Sequence, residues 1–253
     1  MTAPVILHIP HASRVIPLDT RSAFVLSDED LEAELIRMTD AYTDELFDLA
    51  PHLARKVVFP VSRLVVDPER FADDAEEPMS ARGMGVVYAK TSTGQPLRRP
   101  ITTEQRAALI ERYYDPHHEE LAGAVRDVLA KYSRCLVIDC HSFPSSPLPY
   151  EPDQERPDIC IGSDDFHTPE WLTESALDLF RQQGYRVILN RPYSGTIVPR
   201  PFYRTERAVC SIMVEVNRSL YMDEASGKLS ERFEDTRGRL RSVLEALISK
   251  TVP

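Results

Sequence analysis

What the chain lacks narrows it quickly. Its 253 residues carry a formal net charge of −10, so the dense cationic face that nucleic acid or an anionic membrane surface requires is missing. No apolar run approaches the ~18 residues of a membrane-spanning helix. The chain begins MTAPVILHIPHAS with no basic segment, so no export signal is expected and a cytoplasmic location is. There is no Gly/Ser-rich linker and no internal repeat, which favours a single domain over 1–253. The four cysteines, Cys135, Cys140, Cys160 and Cys210, contain no short-spaced pair. They read as buried free thiols rather than as disulfides or a thiolate metal site. Lysine is scarce, with five against twenty-five arginines. Genome base composition accounts for such a bias, yet arginine also grips a carboxylate bidentately, which lysine cannot.

What is present is an alternation of apolar strands and helical segments, the pattern of an α/β fold. Strands are predicted at about 4–9, 56–59, 135–139, 158–161, 186–189 and 210–216, with a short extension at 63–67. Helices are predicted over roughly 28–50, 103–131, 169–183 and 228–250. Ser27 caps the first of these, with Asp28, Glu29 and Asp30 in the opening turn. Leu31, Leu35, Met38, Tyr42, Leu46 and Leu49 step by three and four along it as a core-facing stripe. Thr168 is read as the cap of the third helix, with Pro169 at its first helical position. Residues 68–102, rich in proline, glycine and charge, are expected to form an irregular lid or binding loop.

Two of the apolar strands end in histidine: Val5-Ile6-Leu7-His8-Ile9-Pro10-His11 and Cys135-Leu136-Val137-Ile138-Asp139-Cys140-His141-Ser142. Strand ends form the floor of the ligand crevice in α/β domains, so His11 and His141 are expected to bind a metal, with Asp139 close by. His8 would share an ion with His11 only if Pro10 turns the chain. A hydrolytic zinc centre needs a third protein ligand and an open position for water. Asp40 is preferred for it, since it lies between Ile36 and Phe47 on a second apolar face of the first helix; His8 and Asp44 are the alternatives. Asp44 otherwise reads as part of a solvated acidic face. Glu215, within Ser211-Ile212-Met213-Val214-Glu215-Val216, is an acid among apolar residues and the best general base, unless it simply pairs with Arg218. His118, after Tyr113-Tyr114-Asp115-Pro116-His117, is read as an electrophile or substrate donor. His52 and His167 look like ordinary loop histidines. Arg63, Arg70, Arg191 and Arg200 flank strand ends or irregular loops, and one or two of them are expected to meet a substrate carboxylate. Metal-assisted hydrolysis with one divalent ion per chain, zinc (Zn2+) being the first choice, is the leading expectation. A metallophosphoesterase, or a non-catalytic protein binding a small ligand, are the alternatives.

The ordered set of motifs resembles the N-formylglutamate amidohydrolase family. It runs through Pro10-His11-Ala12-Ser13, Thr39-Asp40-Ala41-Tyr42-Thr43-Asp44, Ser62-Arg63-Leu64-Val65-Val66-Asp67-Pro68-Glu69-Arg70 and Pro116-His117-His118. It continues in Asp139-Cys140-His141-Ser142, Asp158-Ile159-Cys160-Ile161-Gly162, Asn190-Arg191-Pro192-Tyr193-Ser194-Gly195 and Met213-Val214-Glu215-Val216-Asn217-Arg218. The resemblance implies a three-layer α/β/α fold with a mixed, mostly parallel central sheet, of the phosphorylase/hydrolase, zinc-carboxypeptidase-like kind. It implies hydrolysis of an amide on an acidic amino acid, such as N-formyl-L-glutamate to formate and glutamate; a monomer or small homo-oligomer is expected. By position, His11, Asp40 and His141 would hold zinc, Glu215 would be the base, and Arg63 or Arg200 would meet the small anionic substrate. Ser142 and Asn190 stand in these motifs as further substrate contacts. Two residues depart from the pattern: Glu69 occupies the amide position of the usual D-x-N-R, and Ser13 stands where glycine is usual.

Overall fold

The computed structural model describes residues 4–251; the first three residues, on which the reading of the chain's start partly rests, lie outside them. Six strands form one sheet: β1 (Val5–Ile9), β2 (Arg55–Val58), β3 (Cys135–Phe143), β4 (Ile159–Gly162), β5 (Val187–Leu189) and β6 (Val209–Asn217), in the order β2-β1-β3-β6-β4-β5. All neighbours run parallel except β4, which is antiparallel to β6. The helices are α1 (Leu18–Arg21), α2 (Asp28–Met38), α3 (Thr43–Leu46), α4 (Thr103–Leu109), α5 (Asp115–Tyr132), α6 (Glu170–Gln182) and α7 (Phe233–Thr251). Together they make the α/β architecture that the alternation of elements implied, with the mixed, mostly parallel sheet that the resemblance implied. Among the described residues no helix is long and apolar enough to cross a membrane.

Successive side chains of a strand point to opposite faces of the sheet, and that period sorts the core. Leu7, Ile138 and Val214 face one side and pack with Phe180 of α6 and Leu244 of α7. Ile6, Val137 and Val209 face the other and meet Leu121 and Val125 of α5. Counting on by twos puts His8, Asp139, His141 and Glu215 on the α5 side, at the C-terminal ends of three parallel strands. A further apolar cluster lies beyond those ends, built from Leu31 and Leu35 of α2 with Phe59, Val65 and Tyr88.

Several predicted elements are corrected. The helix expected over 28–50 stops at Met38: Thr39 is extended, Asp40 donates its backbone N–H to the His11 carbonyl, and Tyr42 adopts φ 63° before α3 begins. Its stripe therefore divides, with Leu31, Leu35 and Met38 in one cluster and Leu46 and Leu49 in another. The extension at 63–67 is a run of turns rather than a strand, with the Leu64 and Val65 carbonyls taken by the Arg98 guanidinium. β3 continues to Phe143, so His141 and Ser142 lie within the strand and not in the loop after it. Thr168 does not cap α6; the N-cap is Pro169, and the Thr168 hydroxyl donates to the Ser211 carbonyl. Ser27 caps α2 as expected, accepting from the Asp30 N–H. The helix predicted from Thr103 to about 131 is continuous through Tyr132, but one π turn at Ile110–Tyr114 interrupts the α spacing.

Candidate active site

Two imidazoles meet one carboxylate. Asp40 Oδ2 lies 3.1 Å from His141 Nδ1 and 3.5 Å from His11 Nδ1. The far nitrogen of each ring is held by a second acid: His11 Nε2 donates to Asp67 Oδ1 at 2.9 Å, and His141 Nε2 to Asp139 Oδ1 at 3.0 Å. A carboxylate on one ring nitrogen fixes the tautomer and aims the other nitrogen at a metal. The buried His11 Nδ1 has no hydrogen-bond partner, and the ligand atoms of His11, Asp40 and His141 all lie within 4.8 Å of one another. This N2O donor set, with an orphaned lone pair at its centre, fits a divalent metal ion.

The supporting residues leave little freedom. Arg218 Nη2 donates to Asp40 Oδ1 at 2.8 Å, which keeps Oδ2 turned to the rings. Asp67, fully buried, also accepts from Arg63 Nε and Nη2 at 3.0 and 2.7 Å and from the Tyr88 hydroxyl at 2.6 Å. Burial alone would raise the Asp40 carboxyl, but the adjoining His11 and His141 rings and the charge of Arg218 hold it well below the usual carboxylate range. His141 is the mirror image: burial opposes its charge, yet Asp139 and Asp40 raise it well above an ordinary histidine. Metal affinity is therefore expected to rise with pH. The His141 proton must leave before Nδ1 can bind an ion, so the apparent Kd should fall by up to about tenfold per pH unit across the neutral range. Calorimetric metal titrations in buffers of different ionisation enthalpy count the released proton; a pH-independent Kd would contradict this arrangement.

Glu215 sits beside this cluster, in register with His141 across the β3–β6 pairing. It is 7 % exposed and its Oε2 has no partner. Burial, with the charges of Asp40 and Asp139, pushes its carboxyl up to about 8 against the pull of His141 and Arg218. His11, Asp40, His141 and Glu215 all open onto one cavity of about 480 Å³, which Arg63, Glu69, Arg70 and Ser142 also line. The Nε of Arg70 is buried without a partner, 3.7 Å from Asp67 Oδ2.

Other residues singled out from the sequence are engaged elsewhere. His118 does not line this cavity; its Nε2 donates to the Pro68 carbonyl at 2.9 Å. Arg191 pairs with Asp153 on the surface, and Arg200 is exposed and also off the cavity wall. Asn190 holds a turn: it has φ 55° and accepts the Ser163 N–H at 2.9 Å through its side chain. Ser142 lines the cavity, but its hydroxyl is hydrogen-bonded to Tyr221 and Arg218. Arg218 binds Asp40 rather than Glu215. Asp44 is exposed. His8 joins Asp139 rather than the His11 cluster, its Nδ1 lying 2.8 Å from Asp139 Oδ1. Asp67 was legible only as part of a motif; the single signal for its role was an acid closing an apolar run.

A cluster of this kind at the C-terminal edge of a mostly parallel sheet is that of a hydrolase, and the known proteins it resembles narrow the class to the amidohydrolases. The family model described as N-formylglutamate amidohydrolase matches residues 3–222, and the chain belongs to that family. It is 27% identical over 227 residues to an N-formylglutamate deformylase of Pseudomonas aeruginosa, covering 86% of this chain and 84% of that protein. Its fold matches the crystal structure of an N-formylglutamate amidohydrolase from Ralstonia eutropha JMP134, with a TM-score of 0.86, 22% identity and coverage of 98% and 94% of the two chains. A gene product of Agrobacterium tumefaciens has the same fold at a TM-score of 0.68 and 20% identity, over 99% of this chain and 92% of its own. The family assignment favours amide hydrolysis over the phosphoesterase and the non-catalytic alternatives.

Proposed function

We propose that the chain hydrolyses the amide bond of an N-acylated acidic amino acid, with N-formyl-L-glutamate giving formate and L-glutamate as the leading substrate. The ion used is zinc, held by His11, Asp40 and His141. The observation that carries this reading is the meeting of two imidazole Nδ1 atoms on Asp40 beside a buried glutamate whose Oε2 is unpartnered. The names of the relatives support the choice of substrate.

When bound, the ion supplies an activated water at neutral pH and polarises an amide carbonyl. The protein's own groups do the rest. Glu215 Oε2 accepts the proton of the attacking water and delivers it to the departing nitrogen. In the metal-free protein its raised pKa, about 8, keeps it protonated at neutral pH; a cation alongside reverses that preference. Arg70, with its Nε unpaired, takes a substrate carboxylate. Arg63 does not act on substrate directly but holds Asp67, and through it the ring of His11. The loop over 68–102 contributes Glu69, Arg70, Met79 and Arg82 to the cavity wall and is the segment best placed to close it.

Arg70→Ala is expected to raise KM about 10- to 100-fold with kcat little changed, the loss of one charge-assisted hydrogen bond of roughly 1.5–3 kcal/mol. Steady-state kinetics on N-formyl-L-glutamate read the split; a loss confined to kcat would remove Arg70 from substrate binding. The function as a whole is tested on N-formyl, N-acetyl and N-succinyl amino acids, with and without chelator. Hydrolysis should favour acidic amino acids, vanish on chelation and return with zinc. Failure of every acidic N-acyl substrate in the zinc-loaded enzyme would overturn the proposal.

A further inference from the structure

We propose that His8, Glu69 and Asp139 form a second divalent-cation site, beside the first and opening onto the same cavity. His8 and Asp139 are register partners on β1 and β3, and Glu69 reaches them from the loop after β2. His8 Nδ1 faces two acids at once: Asp139 Oδ1 at 2.8 Å and Glu69 Oε1 at 3.4 Å. One ring nitrogen carries at most one proton, and the shorter contact takes it. Glu69 Oε1 is left buried with no hydrogen-bond partner, while its Oε2 stands 3.7 Å from His141 Nε2, beyond hydrogen-bond reach.

A carboxylate oxygen buried without a donor, set next to Asp139 and Asp67, needs a proton or a cation. The geometry suits the cation. The ligand atoms of the three residues lie within 4.8 Å of one another. The contacts from His8 bracket the roughly 3.3 Å separating two donors bound at about 2.0–2.1 Å to one tetrahedral ion. One imidazole and two carboxylates suit a first-row divalent metal. Behind His8, its Nε2 lies 2.9 Å from His117 Nε2, a partner that orients the ring. Glu69 lines the cavity with its side chain 19 % exposed, whereas His8 and Asp139 are fully buried, so an ion enters past Glu69.

The site depends on the carboxylate of Glu69. An amide at position 69, as in the motif the chain otherwise follows, would supply no anionic ligand; the carboxylate does. A cation there would fix Asp139, and Asp139 holds Nε2 of His141. The second ion would thus brace a ligand of the first, and the one ion per chain expected from the sequence becomes two.

Counting metal tests this without reference to any substrate, so its failure is separable from failure of the proposed activity. Protein loaded with zinc and desalted should hold two ions per chain by mass spectrometry. Glu69→Gln, near in shape and on a part-exposed side chain, should hold one, and His11→Ala should keep one at the second site. Calorimetric titration of demetallated protein with zinc should show two events in the wild type and one in Glu69→Gln, with circular dichroism confirming that the variant is folded. One ion in the wild type, two in Glu69→Gln, or none in Glu69→Gln would each overturn the proposal; the last would place Glu69 in the first site.

Discussion

Glu215→Gln is expected to lower kcat about 1,000-fold while leaving the first metal in place. Proton transfer by a positioned side chain contributes roughly 10²–10⁴ to a rate, and the amide cannot accept a proton at Oε2. The substitution is nearly isosteric at a position 7 % exposed, between the apolar neighbours Val214 and Val216, so packing is kept. Because the carboxylate must be ionised to act, activity should rise with pH through its pKa. That limb lies at or below about 8, the value burial imposes without metal, since a bound cation favours the charged form. It should disappear in the variant. Stopped assays and metal counts on the same preparation decide the matter: near-normal turnover in Glu215→Gln would remove Glu215 from the chemistry.

His141→Ala is expected to abolish activity together with retention of the first metal, and to destabilise the metal-free fold as well. The ring is the shared donor for Asp40 and Asp139, which are 2 % and 0 % exposed. Its removal leaves two buried acids short of a partner, a cost of about 3–5 kcal/mol for a broken buried pair. Urea denaturation of demetallated wild type and variant isolates that cost from the lost metal. Two zinc ions per chain in His141→Ala would show that the first ion sits elsewhere.

The sheet was legible in the sequence because each strand is an apolar run that only a buried strand can use, and His11, His141 and Glu215 could be recognised as polar groups set on or beside such runs. The antiparallel sense of β4 left no trace, since a buried strand reads the same in either direction. The break after Met38 was hidden for a related reason. Leu31, Leu35, Met38, Tyr42, Leu46 and Leu49 keep helical spacing throughout, yet they serve two different apolar clusters. What stops the helix is a long-range bond, from the Asp40 N–H to the His11 carbonyl, and that same bond delivers Asp40 to the site. Asp40 thus reaches the site by a route other than the expected one: it lies in a break, not on an inward helix face. Arg191, Arg200 and His118 were the weakest readings, since all three lie off the cavity wall. A guanidinium or imidazole near a strand end has many possible partners, and Asp67, Asp153 and the Pro68 carbonyl claimed Arg63, Arg191 and His118.

The single wide turn at Ile110–Tyr114 has a bearing on how this scaffold tolerates insertion and deletion. Such a turn accommodates one residue beyond the ordinary count, and each residue advances an α-helix by about 100°. Winding the same residues into a regular α-helix would swing everything downstream by that angle. His117 would leave His8, while Leu121 and Val125 would rotate off the sheet they cover. The azimuth of a buried imidazole is here set by one extra residue inside a helix, so a one-residue gap at the wide turn is milder than the same gap further along α5.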